Sequence, residues 1–491
     1  MSADGAAPAR DVGVARGVSV SSRAATIVAL VLVLGALALV WLHWAEPALA
    51  TTWSFAHLGR RRMLRWLAVL AVLVLPLAGH ALWRSPAMAR ALRAPSWRSA
   101  LIAIGGVWLV LAIVGLAFPA PVICIDAVYF VKEIRDGTAG NHRWFLALRS
   151  YGWIYHALGG ALDGKLFVRV LNASMTAIAC GAVVGSARLL ARDRREALTI
   201  AVLVLTAFGN LQLALGYIDV YPIPQAATAL FVWTALRALR GDGSVFWPLA
   251  IAAIGPLVYV GLLLLSPAAL VLSIAIALEA GGIRRLARAA PGVIVLLGVG
   301  TLPLHGRPWD LIAFVQGVAR DAQPQLGLSS SGSLLPLDYA FGVKHLSEFL
   351  HGLVLTDPVG VLLLITVLPV VLLSLRDAPT WRDLLLLGAL AGPVLVYAFL
   401  MDPLFGPYAD WDLFSYGALA TSLLGAYALI LLARDRGAWP GAVVGLLVAV
   451  AVVHALARLN ALGVDFARHM QEEPFHVAVP ATPSDVKPPG E

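Results

Sequence analysis

Eleven apolar runs, each close to the length of a bilayer crossing, recur along this chain and leave few folds open to it. They lie near 24–44, 64–83, 100–120, 166–187, 197–216, 222–240, 289–304, 354–375, 383–401, 412–433 and 439–457. A spanning helix needs about 20 predominantly apolar residues. One further stretch, 245–283, is too long for a single crossing, carries Ser266-Pro267 in its middle, and is flanked by Arg240 and Arg284-Arg285. Basic residues at both ends require an even number of crossings, so two short helices meeting near the Ser-Pro are predicted. The expected architecture is an all-α, polytopic transmembrane helix bundle of about thirteen spans. Hydrophobic residues make up 60% of the chain and charged residues 13%, about half the charged share of a soluble globule.

Charge then orients the bundle. Gly216–Pro222 and Asp402–Asp412 are short turns that contain carboxylates and no Lys or Arg, whereas the intervening turns carry Arg188/Arg192/Arg194/Arg195, Arg237/Arg240, Arg284/Arg285/Arg288, Arg376/Arg382 and Arg434/Arg436. Basic turns stay in the cytoplasm. The amino terminus is therefore expected inside and the polar carboxy-terminal tail outside. Arg60, Arg61, Arg62 and Arg65 dissent, falling in a loop that this topology places outside; a weakly inserted hairpin or snorkelling side chains would accommodate them. The net charge of +8 speaks of an anionic inner leaflet and not of nucleic acid, since no basic patch is interleaved with aromatics. Ala48-Leu49-Ala50 resembles a signal-peptidase site, but the preceding run is a full span and is expected to stay uncleaved. Cys124 and Cys180 match no disulfide or zinc pattern and read as free thiols among apolar residues.

Three regions follow: a tail and two leading spans (1–98), a transmembrane core (99–435), and a last span with a polar tail (436–491). Two outer loops are long enough to fold. Pro121–Lys165 mixes polar and aromatic residues with the periodicity of amphipathic surface helices, broken at Gly137 and Gly140-Asn141. His305–Asp357 contains the stretch Ser329–Ser333 and then a helix over Lys344–His351. No repeat supports inverted-repeat transporter symmetry.

The candidate functional residues lie on the acidic side. Asp126 follows the third span by a few residues, where an apolar wall can raise a carboxylate pKa while water still delivers protons. It suits a base for an incoming hydroxyl, and equally a helix-end acid. Asp219 and Tyr221 sit in a tight turn before Pro222, which can open the next helix; Asp219 can also cap it. Asp410-Trp411-Asp412 places two acids around an indole, a combination that binds sugars, and one that also serves as helix cap and interfacial anchor. Arg307, Lys344 and His345, in the second long loop, could meet a lipid-linked phosphate. No Walker loop, dinucleotide fingerprint or zinc motif is present, and neither cofactor nor metal is expected. An activated substrate would then arrive through the membrane.

Taken together, Asp126 with Tyr129-Phe130, the Gly-Tyr-Ile-Asp-Val-Tyr-Pro turn, the basic later loop and the Asp-Trp-Asp-Leu-Phe segment resemble the GT-C superfamily of integral-membrane glycosyltransferases. That group includes protein O-mannosyltransferase-like and aminoarabinose-transferase-like enzymes. The resemblance covers most of residues 100–435. It implies a polyprenyl-phosphate-linked sugar donor, a lipid, glycan or protein acceptor, an extracytoplasmic active site in the cell (inner) membrane, and a catalytic role for Asp126. The chain departs from the family pattern in having Ile125-Asp126 where two acids are usual, and two additional leading spans. The alternatives are a transporter or flippase, which would need ionisable groups in mid-membrane, and an O-antigen ligase or polymerase.

Overall fold

A computed structural model describes residues 21–42, 62–84, 125–137, 145–207, 209–210, 221–301, 341–375, 378–400, 412–434 and 439–472, together with single helical positions at 106, 109 and 113. Among the described residues every regular element is a helix. They are α1 (Ser22–Leu42), α2 (Arg62–Arg84), α3 (Ile125–Asp136), α4 (Phe145–Ala157), α5 (Gly164–Leu190), α6 (Arg194–Thr206), α7 (Pro222–Leu239) and α8 (Phe246–Val258). After a 3₁₀ turn (Val260–Leu265) come α9 (Ser266–Ala277), α10 (Gly282–Thr301), α11 (Val343–Thr356), α12 (Pro358–Thr366), α13 (Leu368–Ser374), α14 (Ala378–Leu400), α15 (Asp412–Ala433) and α16 (Trp439–Glu472).

The apolar runs fall on helices wherever the chain is described, but not all in the expected extent: the run 354–375 is divided among α11, α12 and α13, and α16 continues well past 457. The run near 100–120 falls almost wholly outside the described residues, as does Cys124; Cys180 is a free, half-buried thiol in α5. By length and hydropathy, five described helices can cross a membrane, or six if α11 and α12–α13, bent by 114°, form one span. Others are short: α6 and α8 have 13 residues each. The segment 245–283 breaks at Tyr259, in extended conformation, and not at Ser266-Pro267. Ser266 and Pro267 open α9 instead, because a proline in the first helical turn gives up no intrahelical hydrogen bond.

The surface identifies the solvent. On α1, Ala25, Val28, Leu32, Ala36 and Val40 are buried at helical spacing, yet Ile27, Leu30, Leu34 and Trp41 on its other face are exposed. On α2, Trp66, Leu70, Leu73 and Leu77 are likewise exposed. Helices apolar all round and half uncovered belong in lipid.

Ion pairs gather the basic turns at one end of the bundle. Arg434, after α15, donates from Nε and Nη2 to Glu196 in the first turn of α6 (3.1–3.3 Å) and from Nη2 to the Leu190 carbonyl that ends α5 (3.0 Å). Its side chain is 1% exposed. Arg240, after α7, grips Asp383 of α14 with both terminal nitrogens (2.9 and 2.7 Å), and Tyr427 of α15 donates to the same carboxylate (3.2 Å). Burial works against the Arg240 charge, but the hydrogen bonds and charge of Asp383 outweigh it and raise its pKa above the ordinary value. Glu279, after α9, meets Arg285 and Arg382 (3.0 and 3.3 Å), and Arg285 also donates to the Ala238 carbonyl (2.7 Å). Turns read as independent along the sequence are thus fastened together in space.

The leading helices are fastened too. α2 runs antiparallel to α16, with Gly79 against Gly441 and Gly445 and with Ala68 against Val453 and Ala457. A Cβ added to Gly441 would stand 2.6 Å from the Gly79 carbonyl oxygen, so the glycines let the backbones touch. This register leaves Arg62 and Arg65 at the end away from the basic turns.

Removing one partner of a buried ion pair strands the other. Arg434→Met should lower stability by about 3–5 kcal/mol, and the double variant Arg434→Met/Glu196→Met should recover most of the loss. Thermal unfolding in detergent reads both; equal melting of the single variant and wild type would show the pair to be dispensable.

Candidate functional site

Opposite the ionic end lies a second polar layer. At 1.5 Å per residue, Arg434 to Thr421, Arg240 to Gln225 and Leu190 to Asn172 span about 20, 22 and 27 Å. These approach the ~30 Å hydrocarbon thickness of a bilayer.

Around the start of α5, two short helices pack across this second end. Gly137 (φ +67°) ends α3 in the left-handed region, which a residue with a Cβ avoids. Phe130 and Ile134 of α3 and Ala147, Leu148 and Tyr151 of α4 are buried, while Lys132, Arg135 and Trp153 are exposed. Tyr151 donates to Asn172 Oδ1 (2.7 Å) and meets Phe167 edge-on, and Asp163 caps α5 by accepting from the Lys165 and Leu166 amides. Asp126 occupies the first turn of α3, where a carboxylate is favoured by the helix dipole; its side chain lies outside the described residues.

Tyr221, expected to face a sugar, is buried beside Pro222 at the start of α7 and stacks edge-on against Tyr259 (5.7 Å between centroids). The break at Tyr259 thereby supports the start of α7. Below, Gln225 donates from Nε2 to Asn210 Oδ1 (2.8 Å), and Asn210 donates to the Val204 carbonyl (2.7 Å). Gly209 packs on Ser415 and Ala418 of α15. The start of α15, which Asp412 opens, is therefore beside the end of α6 and the Tyr221 turn. Asp219, Asp410, Trp411 and Arg307, and the side chains of Asp412 and Lys344, lie outside the described residues.

The helix predicted over Lys344–His351 is present as α11, and two imidazoles fasten it. His345 is buried, its Nε2 on the Phe399 carbonyl oxygen and its ring edge-on to Phe399. At the other end His454 Nε2 lies 2.9 Å from the Leu355 carbonyl oxygen; an oxygen that only accepts makes this nitrogen the donor. His345, grouped above with the phosphate-binding cations, thus sits inside the protein and fixes the backbone of its neighbour Lys344.

Asp357 was missed by the sequence reading, which treated it as the end of a loop. It sits at the bend between α11 and α12, is 2% exposed, and accepts from the Gly360 amide (2.8 Å) and the Thr421 hydroxyl (2.8 Å). Beside it lies a cavity of about 10 Å³ lined in part by Thr356, Tyr397 and Gly417. The signal was present: Asp357-Pro358 is an N-cap followed by proline in the first turn. Among the described residues no group of three or more His, Cys, Asp or Glu could hold a metal.

No family model, curated protein or solved structure matches this chain. The resemblance drawn above therefore rests on the quoted residues.

Asp357→Ala removes a cap and leaves the Thr421 hydroxyl and the Gly360 amide without their carboxylate, and should cost about 1–3 kcal/mol. Thr421→Val should cost less, since Gly360 keeps its acceptor. Melting temperatures in the opposite order would show that the carboxylate is not the organising group.

Proposed function

We propose that this chain is a membrane glycosyltransferase that moves a sugar from a polyprenyl-phosphate donor to an acceptor hydroxyl on the extracytoplasmic side. One observation carries the reading. Asp126, Tyr221, Lys344 and Asp412 each lie at or near a helix amino terminus, and their helices lie at the bundle end remote from the paired arginines, α7 and α11 both packed on α15 and α3 packed on α5. Helix amino termini favour anions, and the end away from arginine-rich turns is the extracytoplasmic one under the positive-inside rule. In the full arrangement about thirteen helices cross the bilayer, with α3 and α4 lying along its outer surface.

In this mechanism the donor enters sideways from the lipid. Arg307 and Lys344 hold its phosphate, Lys344 being presented by the α11 backbone that His345 anchors. Asp219, Tyr221, Asp410, Trp411 and Asp412 shape the sugar pocket, with Tyr221 acting as the wall that sets the turn. The acceptor oxygen attacks the anomeric carbon while the bond from that carbon to the phosphate oxygen breaks. The electron pair leaves with the phosphate, and Asp126 takes the acceptor proton, giving inversion.

Asp126→Asn keeps the shape of the side chain but not its basicity, so transfer from a lipid-linked sugar should fall about 10²–10⁴-fold with donor binding retained. Arg307→Ala and Lys344→Ala should instead weaken donor binding roughly tenfold or more, the worth of a hydrogen bond to a charged group. Normal turnover by Asp126→Asn would reduce that residue to a helix-end acid. In a cysteine-free background, single cysteines at 126, 219, 402 and 412 should react with an impermeant reagent on intact cells. Reaction at 192 or 285 in their place would invert the topology and remove the site.

A second reading, ion-coupled transport, is favoured by Asp357: a buried carboxylate where two helices meet at a sharp bend is the kind of group such proteins use. Asp357→Asn separates the two. It should abolish coupled uptake in a transporter and leave sugar transfer largely intact in the transferase.

A further inference from the structure

On the lipid-facing flank, away from the candidate site, α2, α6 and α16 enclose a groove of about 180 Å³ that no sequence motif announced. Leu75 and Trp83 of α2, Leu198 and Val202 of α6, and Val448 of α16 form its walls, and they are almost wholly apolar. Gly79, Gly441 and Gly445, at the close contact of α2 with α16, also line it. Among the described residues that line it, Arg195 is the one charged group, in the first turn of α6 and hence at the ionic end. Arg84, next to the lining residue Trp83 and the last residue of α2, is exposed at that same end. Among the described residues, the acids that flank Arg195 are engaged elsewhere. Asp193 accepts the Arg195 and Glu196 amides, and Glu196 holds Arg434. A greasy channel with cations at one end has the polarity of a lipid standing in the cytoplasmic leaflet.

We infer that this groove is a binding site for an anionic phospholipid, its phosphodiester on Arg195 and Arg84 and an acyl chain lying against Val202 and Val448. Charge selects this occupant. A zwitterionic lipid brings its own cation to the arginines. The apolar stretch 100–120 of this chain, long enough to fill the groove, is preceded by Arg93 and Arg98 and would bring like charge to that end. Basic pockets between helices at the cytoplasmic face are suited to anionic head groups. The inference rests on the membrane placement of the bundle and not on sugar transfer, so it is read without turnover.

The test is native mass spectrometry of the full chain, delipidated in detergent and titrated with phosphatidylglycerol or phosphatidylcholine. Wild type should retain one phosphatidylglycerol in preference to phosphatidylcholine. Arg195→Gln should weaken that retention about tenfold, the effect of losing a hydrogen bond to a charged group. Val202→Trp, which fills the groove, should abolish it; Leu198→Phe serves if the tryptophan variant does not fold. Equal retention of the two lipids by wild type would overturn the site, as would undiminished phosphatidylglycerol retention by both Arg195→Gln and the groove-filling variant. Disulfide formation between Val202→Cys and a cysteine placed within 100–120 would give the groove to the chain itself and equally refute the proposal.

Discussion

The bidentate bridge from Arg434 to Glu196 is the constraint on which the rest of the bundle depends. Its energy comes from placing two charges where water does not reach, each satisfied by the other and by backbone: Leu190 supplies a carbonyl to the guanidinium and Arg192 an amide to the carboxylate. Such an arrangement tolerates little displacement, because an ion deprived of its partner inside the protein costs several kcal/mol. With the ends of α5 and α15 and the start of α6 held at one point, and Arg240, Asp383 and Tyr427 holding α7, α14 and α15 at another, relative sliding of these helices is prevented. The far ends of the same rods then come to fixed positions. The Tyr221–Tyr259 contact and the Gln225–Asn210 bond are possible because the anchoring was done some 20 Å away.

Helical class and most helix boundaries were legible in the sequence, since apolar runs and basic turns are statements about single segments. The start of α7 at Pro222 and the end of α3 at Gly137 could be read from one residue each. What could not be read was pairing. The arginines of the basic turns were seen as markers of sidedness, and nothing local says that Arg240 seeks Asp383, 143 residues away. The bend at Tyr259 escaped for a similar reason. Its extended backbone is stabilised by Tyr221 on another helix, while the more conspicuous Ser266-Pro267 simply begins a helix.

The candidate site was legible unevenly. Its residues were chosen for chemistry, and the structure sorts them by environment. Tyr221 and His345 are packed inward and hold backbone in place, whereas Asp126 and Asp412 stand in the opening turns of helices. Asp357 was overlooked because a carboxylate before a proline looks like punctuation, and only burial against Thr421 distinguishes it. The polarity of the bundle, ionic below and hydrogen-bonded above, follows from two kinds of satisfied polar group. Ion pairs form where the turns converge, and in the opposite layer amides, hydroxyls, imidazoles and the Asp357 carboxylate are held by hydrogen bonds.

The glycine contact between α2 and α16 also imposes a schedule. Gly79 leaves the ribosome more than 350 residues before its partners Gly441 and Gly445. At synthesis rates of about 5–20 residues per second, that is a wait of about 20–70 s. Through that interval α2 is without the surface it was shaped for, its glycine flank uncovered by any protein partner. Assembly of this protein is thus completed from the carboxy-terminal side. A nonsense change before α16 would release a chain whose earliest helices never find their common neighbour.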